Sequence, residues 1–365
     1  MKLFMFVLVL VAVFGYVFWG DIFGPEEKKD DVVTVDDSLG GALPEQNVRG
    51  DGAAVASGGK LSKLLDAGRT AEALEILESR RGSGTLSNFD QAAYHRCLSA
   101  ANRPADATAA MNDLIARKPL PAEAVGVVLK EIEGMTSSLE KRTLLGRVSG
   151  GFDRITVVQV DRIAAIVAEL NRSLPRSIEG LFKAEGYAIQ PNDSLWEICR
   201  NYNRRKGLNV EVGLVRCLNG IEGNNIHPGQ SLTLPAEKVS IRVWKGTWLL
   251  CSFLGDAMLS AYKVGLGKDG KTPEGLFVIE SKLMNPDWNS RKLGEVIQAG
   301  DPRNVLGTRW LGFKAMPKLE GYGIHGTRAP ESIGRNMSDG CIRLLNENVE
   351  ELFELVSRGT VVEII

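Results

Sequence analysis

Histidine and cysteine are both scarce in this sequence of 365 residues, which limits the chemistry that it can carry. The histidines are His95, His227 and His325, so few imidazoles are available as bases or as metal ligands. The five cysteines are scattered, and the absence of any Cys-x-x-Cys pair argues against a zinc ribbon or a thioredoxin-like site. An odd number of cysteines leaves at least one thiol without a partner in the same chain.

Positive charge is not in excess either, because the formal net charge is -1. A nucleic-acid-binding protein normally carries a basic excess, so we expect no nucleic-acid partner. Hydrophobic residues make up 44% and charged residues 24% of the chain, an ordinary globular mixture whose length suits two or three domains.

Residues 1–20 are apolar apart from Lys2. The uncharged run from Leu3 to Trp19 lies at the lower limit of what spans a bilayer as a helix. Aromatic residues end this run, which favours a membrane interface over a peptidase cleavage site, although a cleaved signal peptide stays open as the alternative. Lys2 precedes the run and acidic residues follow it, so we expect export of the rest of the chain to the cell envelope.

The next two segments differ sharply in composition. Residues 21–59 contain proline, several glycines and paired acidic residues, which predicts a flexible linker. Over residues 60–180, leucines recur at helical spacing, and breaks fall near 66–69 and 102–104. This pattern predicts a helical spacer. A clean 34-residue period is missing, so helical-hairpin repeats and a plain bundle both stay open.

Residues 186–236 form a turn-rich segment that begins Tyr187-Ala-Ile-Gln-Pro-Asn-Asp-Ser-Leu-Trp and ends Ile226-His-Pro-Gly-Gln-Ser-Leu-Thr-Leu-Pro. It resembles a LysM domain, which implies a βααβ module that binds glycan, here peptidoglycan. Ser194 is expected to cap the first helix. The alternative is a structural module without glycan affinity. The loop residues to which we assign glycan contacts are Asp193, Ser194, Leu195, Asn225 and Ile226.

Two cysteines of this segment, Cys199 and Cys217, fall one on each predicted helix. A disulfide between them would suit an exported protein, but spacing alone leaves the pairing open.

Residues 239–365 read as a mostly β domain, because short alternating segments such as Val239–Trp244 and Ala257–Val264 are separated by glycine-containing turns. This domain contains Cys341 and, sixteen residues before it, His325. A thiol attacks as the thiolate, and an imidazole can accept its proton. Gly340 allows a tight turn to present Cys341, and the backbone N–H groups of such a turn can hold an oxyanion. These residue types therefore fit acyl transfer.

Several separated motifs of this domain resemble the YkuD-type L,D-transpeptidase family. They are His325-Gly-Thr, Ser338-Asp-Gly-Cys341-Ile-Arg, Thr272-Pro-Glu-Gly-Leu-Phe, Asn285-Pro-Asp-Trp and Leu306-Gly-Thr-Arg-Trp-Leu. The resemblance implies a YkuD-like β-sandwich in which Cys341 is the nucleophile and His325 is the base, oriented by a backbone carbonyl. It also implies oxyanion or loop roles for Ser338, Asp339 and Gly340, and substrate or structural support from Arg343, Gly326, Thr327 and Tyr322.

The implied reaction attacks a peptidoglycan tetrapeptide stem and releases D-Ala, and an amine then resolves the thioester to give a 3–3 cross-link. Two alternatives stay open: an L,D-carboxypeptidase, in which water resolves the thioester, and a wall-binding protein without catalysis. We expect no cofactor, and Cys341, His325 and Asp339 make a poor zinc site. Asp339 departs from the His or Arg of many relatives, and its charge would disfavour a neighbouring thiolate if it faced it.

Overall fold

A computed structural model describes residues 33–35, 59–172, 174, 178, 180–290, 293–317 and 319–365. The predicted membrane anchor over residues 1–20 lies outside these ranges. Within the predicted linker, the structure describes Gly59 and a short strand, β1 (Val33–Val35). Strand β1 pairs in parallel with residues Trp288–Ser290 of the C-terminal domain. No helix in the described ranges is long and apolar enough to cross a bilayer.

The predicted helical region is confirmed, and its helix breaks fall where the sequence placed them. The helices of this region are α1 (Gly59–Asp66), α2 (Thr70–Ser83), α3 (Asn88–Ala100), α4 (Pro104–Ile115), α5 (Ala122–Gly134), α6 (Ser138–Val148) and α7 (Val157–Asn171).

The region predicted as a spacer packs directly on the C-terminal domain. Helix α7 carries Val160, Ile163 and Val167 at helical spacing, and this apolar stripe needs a partner. Its partner is a face of the C-terminal sheet that includes Met258, so the two regions share one core. Arg142 of α6 is fully buried at this boundary and donates hydrogen bonds to the carbonyl of Met258 and to Asn171 Oδ1.

The predicted βααβ module is confirmed. It consists of β2 (Ala184–Ala188), α8 (Leu195–Lys206), α9 (Val212–Asn219) and β3 (Ser231–Pro235), with β2 and β3 antiparallel. Ser194 caps α8 as predicted, because its Oγ accepts a hydrogen bond from the Glu197 amide at 3.2 Å. Cys199 and Cys217 lie one on each helix, and both are free thiols.

The C-terminal domain is mostly β, as predicted, and its main sheet has eight strands in the order β14-β12-β11-β8-β15-β4-β5-β6. A helix, α10 (Asn346–Leu355), packs on this sheet, and small sheets extend it. The strands are β4 (Val239–Trp244), β5 (Leu249–Leu254), β6 (Ala257–Lys263), β7 (Leu266–Gly267), β8 (Gly275–Met284), β9 (Trp288–Ser290), β10 (Glu295–Ile297), β11 (Arg309–Phe313), β12 (Gly323–His325), β13 (Asn336–Ser338), β14 (Ile342–Arg343) and β15 (Val361–Ile364).

Side-chain alternation gives the main sheet two distinct faces. The back face carries Leu311, Ile324 and Ile342, which join α10 and the βααβ module in one continuous core. The front face carries Trp310 and His325, which are paired across β11 and β12. The helical region covers the front face at the β4–β5–β6 end, so the β8–β11–β12–β14 end of that face is left to form a separate site.

The βααβ module is fastened to the back of the sheet by Lys282 of β8. Its side chain is only 10% exposed, and its ammonium donates to Glu211 Oε1 at 2.8 Å and to the carbonyls of Phe353 at 2.9 Å and Val356 at 2.6 Å. A cation at the last carbonyls of α10 also opposes the negative end of that helix. Burial lowers the pKa of Lys282, and the neighbouring Glu211 carboxylate opposes that shift.

We predict that Lys282→Met destabilises the folded chain by about 3 kcal/mol, because it leaves buried acceptors on α10 and beside α9 without their donor. Urea unfolding and hydrogen exchange of the α10 amides would measure this. Lys183→Met is the matched control: Lys183 is 83% exposed and pairs with Glu237 at 3.7 Å, so the expected loss is below about 0.5 kcal/mol. Equal losses in the two variants would contradict the role given to Lys282.

Candidate active site

Cys341 and His325 are brought together by the pairing of two very short strands. Strands β12 and β14 run in parallel, with Ile324 opposite Ile342 and His325 opposite Arg343. Cys341 immediately precedes β14, two residues before Arg343, and therefore lies on the same face of the sheet as His325. Strand spacing and rise put the two Cα atoms about 8 Å apart, within reach of an imidazole and a thiol that leave the same face.

An apolar cluster encloses this pair. Trp288, Ile297, Leu306 and Trp310 pack with Cys341, and the indole of Trp310 stacks on the His325 ring with centroids 5.9 Å apart. The exposed fractions are 3% for Cys341 and 2% for His325. The site therefore largely excludes water in this state, which strengthens every electrostatic interaction inside it.

His325 is held by a backbone carbonyl, as expected from the sequence. Its Nδ1 lies 2.6 Å from the Gly326 oxygen. That oxygen can only accept, so Nδ1 carries the hydrogen, and we assign the tautomer on that ground. Burial first, and the positive charge of Arg343 second, lower the pKa of His325 to about 3, a net shift that the carbonyls of Gly326 and Leu306 oppose. The ring is therefore neutral near pH 7, with Nε2 as its basic nitrogen.

The loop before Cys341 is held by its own hydrogen bonds. Ser338 Oγ donates to the Cys341 carbonyl at 2.6 Å and accepts from the Gly340 amide at 3.1 Å. This corrects one expectation, because the Gly340 N–H is occupied within the loop and is not a donor for an oxyanion. The thiol of Cys341 donates to the Gly321 carbonyl, with sulfur and oxygen 3.5 Å apart.

Gly340 is required at its position for two reasons. Its φ of +136° is a conformation that side chains rarely adopt. A Cβ added there would also collide with the ring of Tyr322 and lie 3.1 Å from the Lys271 carbonyl. The Tyr322 ring therefore packs against the turn at Gly340. This is the structural one of the two roles expected for Tyr322.

Thr272 is a supporting residue to which the sequence assigned no role of its own. It is 1% exposed, accepts from the Gly267 amide at 2.7 Å and donates to the Gly340 carbonyl at 2.9 Å. One hydroxyl thus ties the strand β7 to the turn that presents Cys341. The Thr-Pro motif identified this segment in the sequence. The hydrogen bond from Thr272 to Gly340 joins residues 68 positions apart, so it could be recognised only in the folded chain.

The carboxylate of Asp339 forms ion pairs with two lysines. Its Oδ1 lies 3.2 Å from Lys268 Nζ and 3.6 Å from Lys271 Nζ. Pairing with two cations reduces the repulsion that this carboxylate would exert on a neighbouring thiolate, and both lysines come from the turn after β7, a segment distant in sequence.

The remaining predicted support residues lie beneath or beside the pair. Arg343 is opposite His325, and its backbone exchanges hydrogen bonds with Gly265 at 2.8 and 2.9 Å. Gly326 packs so tightly against Asn346 of α10 that no side chain fits there. Thr327 is 6% exposed and its Oγ1 accepts from the Ala329 amide at 3.1 Å, which closes the turn after His325. These contacts are structural.

The residues assigned to glycan contacts have different environments. Leu195 is 2% exposed and belongs to the core, so its side chain is wrongly assigned. Asp193 Oδ2 accepts from the Gln190 amide and the Tyr187 hydroxyl, both at 2.7 Å, so this carboxylate shapes its turn. Ser194 caps α8, Asn225 is exposed and Ile226 is half-buried. Glycan contact by these loops stays a prediction. In the described ranges, no three His, Cys, Asp or Glu side chains cluster as metal ligands would.

Comparison with known proteins adds family matches to this geometry. Residues 246–364 match the YkuD family, the L,D-transpeptidase catalytic domain, and residues 187–235 match the LysM domain family. The chain is 41% identical over 130 residues to YqjB of Bacillus subtilis (strain 168), a protein named provisionally as an L,D-transpeptidase, with 35% of this chain and 70% of that protein covered.

A second relative and a solved structure are similar over different lengths. The chain is 30% identical over 185 residues to YkuD of Bacillus licheniformis, also named provisionally as an L,D-transpeptidase, with 49% of this chain and 97% of that protein covered. The structure of an L,D-transpeptidase from Mycobacterium smegmatis aligns with a TM-score of 0.30 at 21% identity, covering 38% of this chain and 63% of that one.

We predict that the His325 imidazole stays neutral between pH 8 and pH 5, because its pKa lies near 3. Imidazole ¹⁵N spectra would show this directly, and the three histidines are few enough to assign with His325→Asn. Arg343→Met should raise the pKa of His325. A His325 signal that titrates near pH 6.5 would contradict the assignment.

The same shift predicts a pH dependence of stability. The pKa of an unfolded histidine is about 6.5, so below that pH the unfolded chain binds a proton that the folded site refuses. The contribution of the neutral ring is therefore fully present above pH 6.5 and is lost progressively as the pH falls towards 3. Urea unfolding of the wild type and of His325→Asn at pH 7 and pH 5 would measure it, and the variant should lose less stability on acidification.

We predict that Thr272→Val slows acylation of Cys341 by a carbapenem about tenfold or more, because the variant keeps the shape but loses both hydrogen bonds that place the turn. Thr272→Ser keeps the hydroxyl and should react at nearly the wild-type rate. Intact-protein mass spectrometry against time gives both rates. If valine and serine behave alike, the hydroxyl does not position the nucleophile loop.

Proposed function

Because this chain belongs to the L,D-transpeptidase family, we propose that its C-terminal domain transfers an acyl group from a peptidoglycan stem through a thioester on Cys341. The acyl donor is a tetrapeptide stem in which a diamino acid such as meso-diaminopimelate precedes a terminal D-Ala. Cys341 attacks the carbonyl between these residues, and D-Ala leaves. An amine of a neighbouring stem then attacks the thioester and forms a 3–3 cross-link.

The observation that carries this proposal is the β12–β14 register, which puts a thiol and a neutral imidazole on one face inside a dry cluster. The thiol proton passes to Nε2, because Nδ1 keeps its hydrogen on the Gly326 carbonyl. An imidazolium in a site that disfavours charge is a strong acid, so it readily returns the proton to the departing amine. Since Ser338 holds the Gly340 amide, the backbone N–H of Cys341 itself is proposed to donate to the oxyanion.

Burial of the pair favours transfer to an amine over hydrolysis. The thioester would form inside the cluster of Trp288, Ile297, Leu306 and Trp310, where water is scarce. An amine acceptor that is bound to the protein can attack the thioester more often than an unbound water molecule can. Hydrolysis would make the protein an L,D-carboxypeptidase, and the experiment below separates the two.

The LysM module supports peptidoglycan as the partner and a location outside the cytoplasm. It is fixed to the back of the sheet through Lys282, so a glycan held by the module stays close to the catalytic domain. Binding at one site raises the local concentration of stems at the other without any new contact. A membrane anchor over residues 1–20 would hold the whole chain at the membrane surface that faces the wall, and this anchor remains part of the proposal.

We predict that the purified chain converts tetrapeptide muropeptides into 3–3 linked dimers and releases D-Ala, and that Cys341→Ala forms none. His325→Asn should lower the rate about a thousandfold, because general base catalysis is lost. Cys217→Ala is the matched control, since this free thiol lies on α9 in the LysM module, and it should keep activity. Mass spectrometry of the products gives all of these results.

Two outcomes would replace the proposal. Trimmed monomers without dimers would identify a carboxypeptidase. No turnover by the wild type, with retained binding to wall sacculi, would identify a wall-binding protein without catalysis.

A further inference from the structure

Asp339 and its two lysines form a charged group beside the candidate nucleophile that the reaction described above does not use. Lys268 Nζ and Lys271 Nζ approach the same oxygen, Asp339 Oδ1, at 3.2 and 3.6 Å. The side chains are 16%, 29% and 18% exposed for Lys268, Lys271 and Asp339. The group is thus mostly shielded from bulk water, although each side chain keeps a small exposed fraction.

This group has more positive than negative charge. Two ammonium groups and one carboxylate give these three side chains a formal charge of +1 among themselves. Arg343 adds a further cation close enough to His325 for its charge to lower the pKa of that ring. Because partial burial weakens screening by salt, this excess attracts an anion more strongly than exposed surface lysines would.

The lysines are fixed close to Cys341 by the backbone. They belong to the turn that runs from β7 to Thr272, and Thr272 is bonded to the Gly340 carbonyl. A Cβ added at Gly267 would lie only 2.8 Å from the Gly340 Cα, so the lysine turn and the nucleophile turn are in direct contact. An anion held by the ammonium groups would therefore sit beside the thiol.

We propose that Lys268 and Lys271 form an anion subsite that binds a carboxylate of the acyl donor, with Asp339 as its resting counter-ion. Asp339 keeps the two ammonium groups together when no donor is bound and limits how tightly the site holds its anion. This inference rests on the proposed function for the identity of the donor. The stem offers two carboxylates near the reacting carbonyl: that of the terminal D-Ala and that at the far centre of the diaminopimelate side chain.

Three synthetic tetrapeptides separate these two carboxylates: one with both free, one amidated at D-Ala, and one amidated at the side chain of diaminopimelate. For the wild type, one of the two amides should raise KM about tenfold and leave kcat within about twofold. Lys268→Gln and Lys271→Gln should each reduce that preference to less than about threefold. Asp339→Asn should act in the opposite direction and increase it, because it removes the competing carboxylate.

Matched variants control for loss of structure. Lys268→Arg keeps the charge and should keep the preference. Lys206→Gln removes a lysine that is ion-paired with Glu185 in the LysM module and should also keep it. Raising the salt concentration should narrow the difference between acid and amide, as expected for an ionic contact. Carbapenem labelling of Cys341 verifies that each variant still has an assembled site.

The same three peptides, titrated calorimetrically against Cys341→Ala, test the subsite without any turnover. Tighter binding of one acid over its amide, lost in Cys341→Ala combined with Lys268→Gln, supports the subsite even if the proposed reaction fails. Equal affinity for acid and amide forms, or a preference that persists without Lys268 and Lys271, would overturn it.

Discussion

The parallel pairing of β12 with β14 is the constraint on which the candidate active site depends. These strands are three and two residues long, and the side-chain period of a strand is two. A slip of one residue would turn Cys341 into the back-face core and bring Ile342 to the front. The register is therefore secured from outside the pair: Gly265 bonds the backbone of Arg343, Thr272 bonds Gly340, and Ser338 bonds the Cys341 carbonyl.

Burial of the site depends in turn on how the rest of the chain is packed. One core joins the LysM module, α10 and the back of the sheet, and a second joins the helical region to the front of β4, β5 and β6. The helical region does not cover the other end of the front face. There, Trp310 and Trp288 pack around the Cys341 thiol. In the proposed reaction, the neutral His325 accepts the thiol proton, and the lysines beside Asp339 recognise the acyl donor.

Local patterns in the sequence were sufficient to predict most helices and strands and to select the histidine and the cysteine that the fold brings to one sheet face. Ser194 capped α8, the strands began and ended close to the expected residues, and the His and Cys motifs met on one sheet face. Features that depend on contacts between distant segments could not be predicted. Four features depend on segments that only the fold brings together. They are the packing of α7 on β6, the burial of Leu195, the ion pair between Asp339 and Lys268, and the hydrogen bond from Thr272 to Gly340.

Trapping the acyl-enzyme tests the assignment of Cys341 as the nucleophile. The chain is mixed with a tetrapeptide stem, quenched in acid within milliseconds to seconds, digested and mapped by mass spectrometry. We expect a thioester on the peptide containing Cys341, with the added mass of the stem less D-Ala, and we expect it to disappear when an amine acceptor is added. Turnover without this adduct, or an adduct on another residue, would show that Cys341 is not the nucleophile.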